Sequence, residues 1–239
     1  MVINDIIKRW QERGELQSIK REKYMPYEMP VALDVVTQIG RAMVPGFVID
    51  DLNRWQFEQL IRWVHGDDTM QANDPVTGRR VAGRLGAGLY IAGKTGTGKS
   101  LALNIMSLYC DIDNVQVEIN GGGRCLRWQN VRVDDICDAY ARTGDIAKYK
   151  RMPVLCIQDL GAEQAETLYM GTRINVLAQV LEVRGDRNDL ITLVSSNLPL
   201  QPKPGTPNVL EQRYGDRVVS RLREMCNYIL MTGNDRRRK

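Results

Sequence analysis

One eight-residue run constrains this chain more than any other: GKTGTGKS, Gly93 to Ser100. Its spacing of Gly93, Gly98, Lys99 and Ser100 is that of a loop built to hold phosphate. Glycines let the backbone curl until successive amides face one point, and those amides, with the N-terminus of a following helix, stabilise phosphate oxygens. The expected cradle is Gly93, Lys94, Thr95, Gly96, Thr97, Gly98, Lys99, Ser100 and Leu101. Lys99 adds a mobile cation for the β and γ phosphates, and Ser100 a hydroxyl for Mg²⁺. The flanks agree, because LYIAG reads as a buried strand and LALNIMSLYC as a helix. ATP and Mg²⁺ are therefore the expected cofactors.

The rest of the chain extends that strand–loop–helix unit. VQVEI and CLRWQNV read as strands, VDDICDAYART as a helix, VLCIQDL as a central strand and INVLAQVLEVRG as a helix. DLITLVSSN, GDRVVSRLREM and YILMT continue as strand, helix and strand. Strands alternating with helices imply an α/β fold, a parallel sheet sandwiched by helices. With 239 residues, 43% of them hydrophobic, the chain can fill one such core and carry a small appendage.

The appendage is expected at the N-terminus. Ile3, Ile6, Ile7 and Trp10 share one helical face, the prolines of YMPYEMP interrupt, and a second helical pattern runs from Val31 to Met43. Pro45-Gly46 then breaks the chain. The expected division is a short helical arm over residues 1–45, which either packs on its own domain or docks on a partner, and an ATPase domain over 46–239. Asp50 or Asp51 is expected to cap the helix LNRWQFEQLIRWVHG. The polar, glycine-rich stretch after it reads as a loop or an irregular hairpin.

Composition removes several function classes. No apolar run is long enough to span a bilayer, and the N-terminus carries acids where a secretory signal would be apolar. The expectation is a cytoplasmic protein with no membrane partner. Five cysteines form no CxxC pair and read as reduced thiols. A single histidine, His65, excludes a multi-histidine metal site and is expected to cap a helix end or face solvent. The net charge of +4 is concentrated in the tail, Arg236 to Lys239.

A phosphate loop that turns over ATP needs acids on a neighbouring strand, and VLCIQDLGAE is the candidate. Only Asp159 stands at its tip, beside Gln158, which can hydrogen-bond water but cannot take a proton. Two readings follow. Asp159 takes the metal role, with Glu163 or an ordered water helping the nucleophile, or the site binds ATP and hydrolyses it slowly. Asn197, at the end of LVSSN, is placed to contact the γ phosphate or orient water. Arg217 and Arg221 lie four residues apart on one helical face. They form either surface ion pairs or a finger reaching a neighbouring subunit's triphosphate.

GKTGTGKS, VLCIQDLGAE, LVSSN and YGDRVVSRL, in that order, resemble the DnaC/DnaI helicase loaders and the IstB transposition helpers, AAA+ ATPases of the initiator group. The resemblance runs from Phe47 to the C-terminus. It implies that Asp159 is the second of the family's paired acids and that Gln158 replaces the first. Asn197 then corresponds to sensor one, Arg221 to the arginine finger, Arg237 to the sensor-two arginine and Tyr140 to an aromatic that contacts single-stranded DNA. The implied partners are a replicative helicase or a transposase, single-stranded DNA, and further copies of the chain in an ATP-dependent oligomer. A small-molecule kinase and a purely structural nucleotide-binding module are the other readings of the loop.

Overall fold

The computed structural model describes residues 3–13, 15–202 and 205–236. Helix α1 (Ile3–Glu12) is followed by the short strand β1 (Ile19–Lys20), helix α2 (Met29–Met43) and helix α3 (Arg54–Val64). Strands β2 (Gln71–Asn73) and β3 (Arg80–Ala82) form a hairpin. Strand β4 (Gly88–Gly93) then leads into helix α4 (Lys99–Ile112). A second hairpin, β5 (Gln116–Ile119) and β6 (Gly122–Cys125), carries β1 along its β5 edge.

Next come β7 (Gln129–Arg132), α5 (Val133–Thr143), α6 (Ala147–Arg151) and β8 (Val154–Leu160). A third hairpin, β9 (Thr167–Tyr169) and β10 (Thr172–Ile174), precedes α7 (Val176–Gly185) and β11 (Ile191–Ser196). Helices α8 (Val209–Tyr214) and α9 (Asp216–Met225) and strand β12 (Cys226–Met231) complete the order.

The central sheet has five parallel strands in the order β12-β4-β11-β8-β7. Strands β4, β8, β11 and β12 are buried along nearly their whole length because both faces are covered, whereas the edge strand β7 is largely polar and buries only Val131. Alternate residues of β4 serve separate cores. Leu89 and Ile91 join Val36 of α2, Phe57 and Leu60 of α3, and Leu103 and Met106 of α4. Tyr90 and Ala92 join Ile136 of α5, Leu177 and Leu181 of α7, and Leu222 of α9. The sheet is therefore the middle layer of three, and the loop after β4 opens at its carboxyl edge, where such sheets bind ligands.

Several expectations needed adjustment. Helix α3 starts at Arg54, and the residue before it is Asn53, whose Oδ1 accepts from Asp50 N at 2.8 Å. Asp50 itself is drawn away to Arg236. The segment expected as one strand, CLRWQNV, is divided: Cys125 ends a hairpin, Leu126 and Trp128 drop into the α4-side core, and Gln129 starts β7. His65 does stand at the end of α3, but it is buried, not at the surface. Of the residues expected as an arm, α2 buries Ala32, Leu33 and Val36 in the α4-side core, whereas α1 buries none. No helix among the described residues is long and apolar enough to cross a membrane.

Candidate nucleotide site

The loop between β4 and α4 depends on two glycines in the left-handed region. Gly96 has φ of 83° and Gly98 of 92°, a conformation costly to any residue with a Cβ. At Gly96 there is also no room, since a Cβ would sit 2.0 Å from the Asp235 carboxylate. Thr97 closes the turn by donating its hydroxyl to the Lys94 carbonyl at 2.9 Å. Helix α4 then begins at Lys99, with Ala102 N on the Gly98 carbonyl at 2.8 Å. The amides of a helix's first turn have no acceptor within the helix, so together with the macrodipole they make an anion site.

Side chains from three strands converge on this loop. The buried Lys99 donates Nζ to Lys94 O at 2.9 Å and to Asn197 Oδ1 at 2.7 Å. Asn197 directly follows β11. Ser100 Oγ donates to Asp159 Oδ1 at 3.3 Å and shares a hydrogen bond with Ser195 Oγ at 3.1 Å. Arg132, at the end of β7, brings Nη1 to 3.7 Å from Asp159 Oδ2.

A bulge sets the direction of Asp159. Ile157 lies opposite Val194 and Leu160 opposite Ser196, so Gln158 and Asp159 together face Ser195. Asp159 takes up the extra residue with φ of 63°, and its amide donates to Ser195 Oγ at 3.1 Å. Leu160 thereby returns to the face of Leu155 and Ile157. Gln158 keeps its place in the alternation and turns toward α4, donating Nε2 to Asn104 Oδ1 at 2.6 Å. The two neighbours thus face different surroundings, and only Asp159 lines the cavity in front of the loop.

That cavity has a volume of about 730 Å³, within the range of small-molecule sites. Its charged lining is Lys99, Arg132, Arg236 and Asp159, three cations to one carboxylate, which suits a polyanion. Its apolar part is formed by Val44, Phe47, Val48, Phe57 and Met231, which suits a planar ring. The donors also fit Mg²⁺. One carboxylate beside one hydroxyl gives hard oxygens, and among the described residues no cluster of three His, Cys, Asp or Glu forms a protein cage. Magnesium shared with phosphates and water needs only that much from the protein.

No protein-family profile and no curated protein matches the chain. Solved structures do. A DnaI crystal structure is 19% identical, covers 90% of this chain and 96% of its own, and superposes with a TM-score of 0.50. The DnaC helicase loader is 15% identical, with 78% and 94% covered and a TM-score of 0.49. AMPPCP-bound DnaA from Aquifex aeolicus is 17% identical, with 80% and 49% covered and a TM-score of 0.44. The chain has a DnaI-like fold.

Within this fold, the loop residues, Ser100, Asp159 and Asn197 come together, while other expected residues stand elsewhere. Glu163 is buried, with Oε2 accepting from Gly161 N at 3.0 Å and Oε1 accepting from the Tyr214 hydroxyl and from Arg213 Nε at 3.4 Å. Burial, with that carboxylate alongside, pushes the Tyr214 hydroxyl pKa up. Tyr140 is only 7% exposed, and its ring lies 5.8 Å from that of Tyr169 inside the other core. Arg221 pairs with Asp186 of its own chain, its methylenes lying over Gly185, where any Cβ would meet them at 2.5–2.7 Å. Arg237 lies outside the described residues.

Its neighbour Arg236 does line the cavity. Its amide donates to Gly96 O at 3.0 Å and its guanidinium donates to both Asp50 oxygens at 3.0 and 2.7 Å. That pairing holds the Asp50 carboxyl below the usual carboxylate range. The sequence gives no role at this site to Arg132, Ser195 or the Phe47-Val48 pair, and it offers Arg236 only as part of the basic run beside Arg237. The apolar run at Phe47 was a visible signal. Ser195 and Arg132 carried none, since each becomes relevant only once its strand lies beside β8.

Proposed function

We propose that this protein is an ATP-dependent accessory of DNA replication that loads a replicative helicase onto single-stranded DNA. The observation that carries the reading is the meeting of Lys99, Ser100, Asp159 and Asn197 at one end of a cation-lined cavity. The DnaI-like fold and the order of the motifs support it. In this reading the loop amides and Lys99 hold the phosphates of ATP, and Ser100 and Asp159 hold Mg²⁺. Asn197 orients the attacking water. With Gln158 turned to Asn104 and Glu163 engaged by Tyr214 and Arg213, turnover is slow.

Arg221 serves a neighbouring copy's triphosphate, and α1 offers its apolar face to the helicase. Tyr140 contributes to the single-stranded DNA surface once its packing against Tyr169 opens. The compartment is the cytoplasm.

The test mixes Lys99→Ala with Arg221→Ala subunits and follows ATPase rate and helicase loading with single-stranded DNA. Each variant alone is expected to be inactive, and the mixture to recover part of the activity through sites built from two subunits. An arginine finger contributes about 10³–10⁵ in rate where it has been measured, so recovery would be easily visible. A mixture as inactive as its components overturns the shared site. Stronger stimulation by duplex than by single-stranded DNA transfers the protein to the transposition helpers of the IstB type.

A further inference from the structure

Arg132 heads the stretch RVDDICDAYARTGD, to which the sequence gives no role at the phosphates, yet it lines the cavity beside the strand tip that carries Asp159. It ends β7 in register with Gln158 of β8, so its side chain rises next to the tip that carries Asp159. The two oxygens of Asp159 then serve opposite neighbours. Oδ1 accepts from Ser100 at 3.3 Å, on the loop side, and Oδ2 lies 3.7 Å from Arg132 Nη1, on the β7 side. The other contact of the guanidinium is Asp134 Oδ2 at 3.5 Å. Both distances are at or beyond the limit of a hydrogen bond. A guanidinium has five N–H donors in a fixed fork that matches two phosphate oxygens at once. Here that fork lines the cavity, with more than half of its side chain exposed.

Resting on the nucleotide reading above, we infer that Arg132 distinguishes a nucleoside triphosphate from a diphosphate in this site. The loop amides and the start of α4 serve the phosphates nearest the loop. The strand tips, where Asp159, Asn197 and Arg132 stand, border the end of a longer phosphate chain. With Asp159 holding magnesium, its carboxylate would no longer be free for Arg132, whose guanidinium would be left to the terminal phosphate. A diphosphate offers no group at that distance, so it does not gain from Arg132.

The measurement is calorimetric affinity for ATP and for ADP, each with magnesium, on the full chain of wild type, Arg132→Ala and Arg132→Lys. Arg132→Ala is expected to weaken ATP about tenfold, the size of one hydrogen bond to a charged group, and to leave ADP within about twofold. Arg132→Lys, which keeps charge but not the fork, is expected to fall between the two. It also supplies the comparison if Arg132→Ala does not fold. Wild-type protein that binds both nucleotides, with an unchanged ATP-to-ADP ratio in both variants, overturns this inference alone. Wild-type protein that binds neither overturns the nucleotide reading with it.

Discussion

The residues that carry the site differ in how plainly their sequence announces them. Lys99 and Ser100 are legible because the loop around them is a continuous local pattern, and Asp159 and Asn197 because each ends an apolar run. Glu163 is picked out by its position just past the turn and Tyr140 by the family resemblance, but their partners come from distant segments: Tyr214 in one case, Tyr169 in the other. His65 shows the same limit. A carbonyl can only accept, so Nδ1 donates to Tyr24 O, and Nε2 accepts from the Tyr109 hydroxyl at 2.8 Å. Burial lowers its pKa, while Asp113 and Asp67 raise it and Arg21 lowers it further. The unfolded chain takes up a proton as pH falls through about 6.5, and the folded form resists it. The stabilisation is therefore complete above that value and is lost below it, by up to about 1.4 kcal/mol per pH unit. His65 is the only histidine, so urea midpoints at pH 7.5 and 5.5 should differ for wild type and much less for His65→Gln. A pH dependence that survives the substitution contradicts this assignment.

Elements were legible where their periodicity was strong. Strands β4, β8, β11 and β12 of the sheet and helices α4, α5, α7 and α9 stand where their patterns put them. The start of α3 and the division of CLRWQNV were not legible, because tertiary burial of Leu126 and Trp128 overrides a local strand preference. One further join was invisible in sequence. Arg184, at the end of α7, is fully buried and forms no ion pair with a carboxylate among the described residues. It donates Nε to Thr192 Oγ1 at 2.9 Å, Nη1 to Tyr149 O at 3.1 Å and Met152 O at 2.7 Å, and Nη2 to Ile191 O at 2.7 Å. Burial pulls its pKa down to about 9, which leaves it charged at neutral pH. The guanidinium thus ties α6, α7 and the entries to β8 and β11 together. Arg184→Ala strands three carbonyls, each costing about 1–3 kcal/mol when left unsatisfied, so a loss of at least about 3 kcal/mol in urea unfolding is expected. A loss below about 1 kcal/mol would mean that water replaces the guanidinium.

At the scale of the whole molecule, the three-layer architecture was legible from the alternation of elements, whereas the placement of the N-terminal segment was not. Helix α1 has an apolar stripe and buries no residue, while α2 and β1 are built into the domain through the α4-side core and the β5 edge. Removing residues 1–13 should therefore shift the melting temperature by no more than about 2 °C. In a helicase-loading assay the same truncation should abolish coupling to the partner. A large thermal loss would show that α1 belongs to the fold after all.

The two-against-one step at Gln158 and Asp159 has a consequence for anyone aligning this chain with another. Counted from the start of β8, the residue facing the cavity is one place later than an unbroken strand would put it. A gap-free alignment that treats both partners of the pair as equivalent will credit Gln158 with a view of the cavity that belongs to its successor. Losing a single residue there would reverse the inside and outside of the strand's last stretch, sending Leu160 into the wrong core. Insertions and deletions in this stretch should therefore be rarer than substitutions among related chains, even where the residues themselves vary.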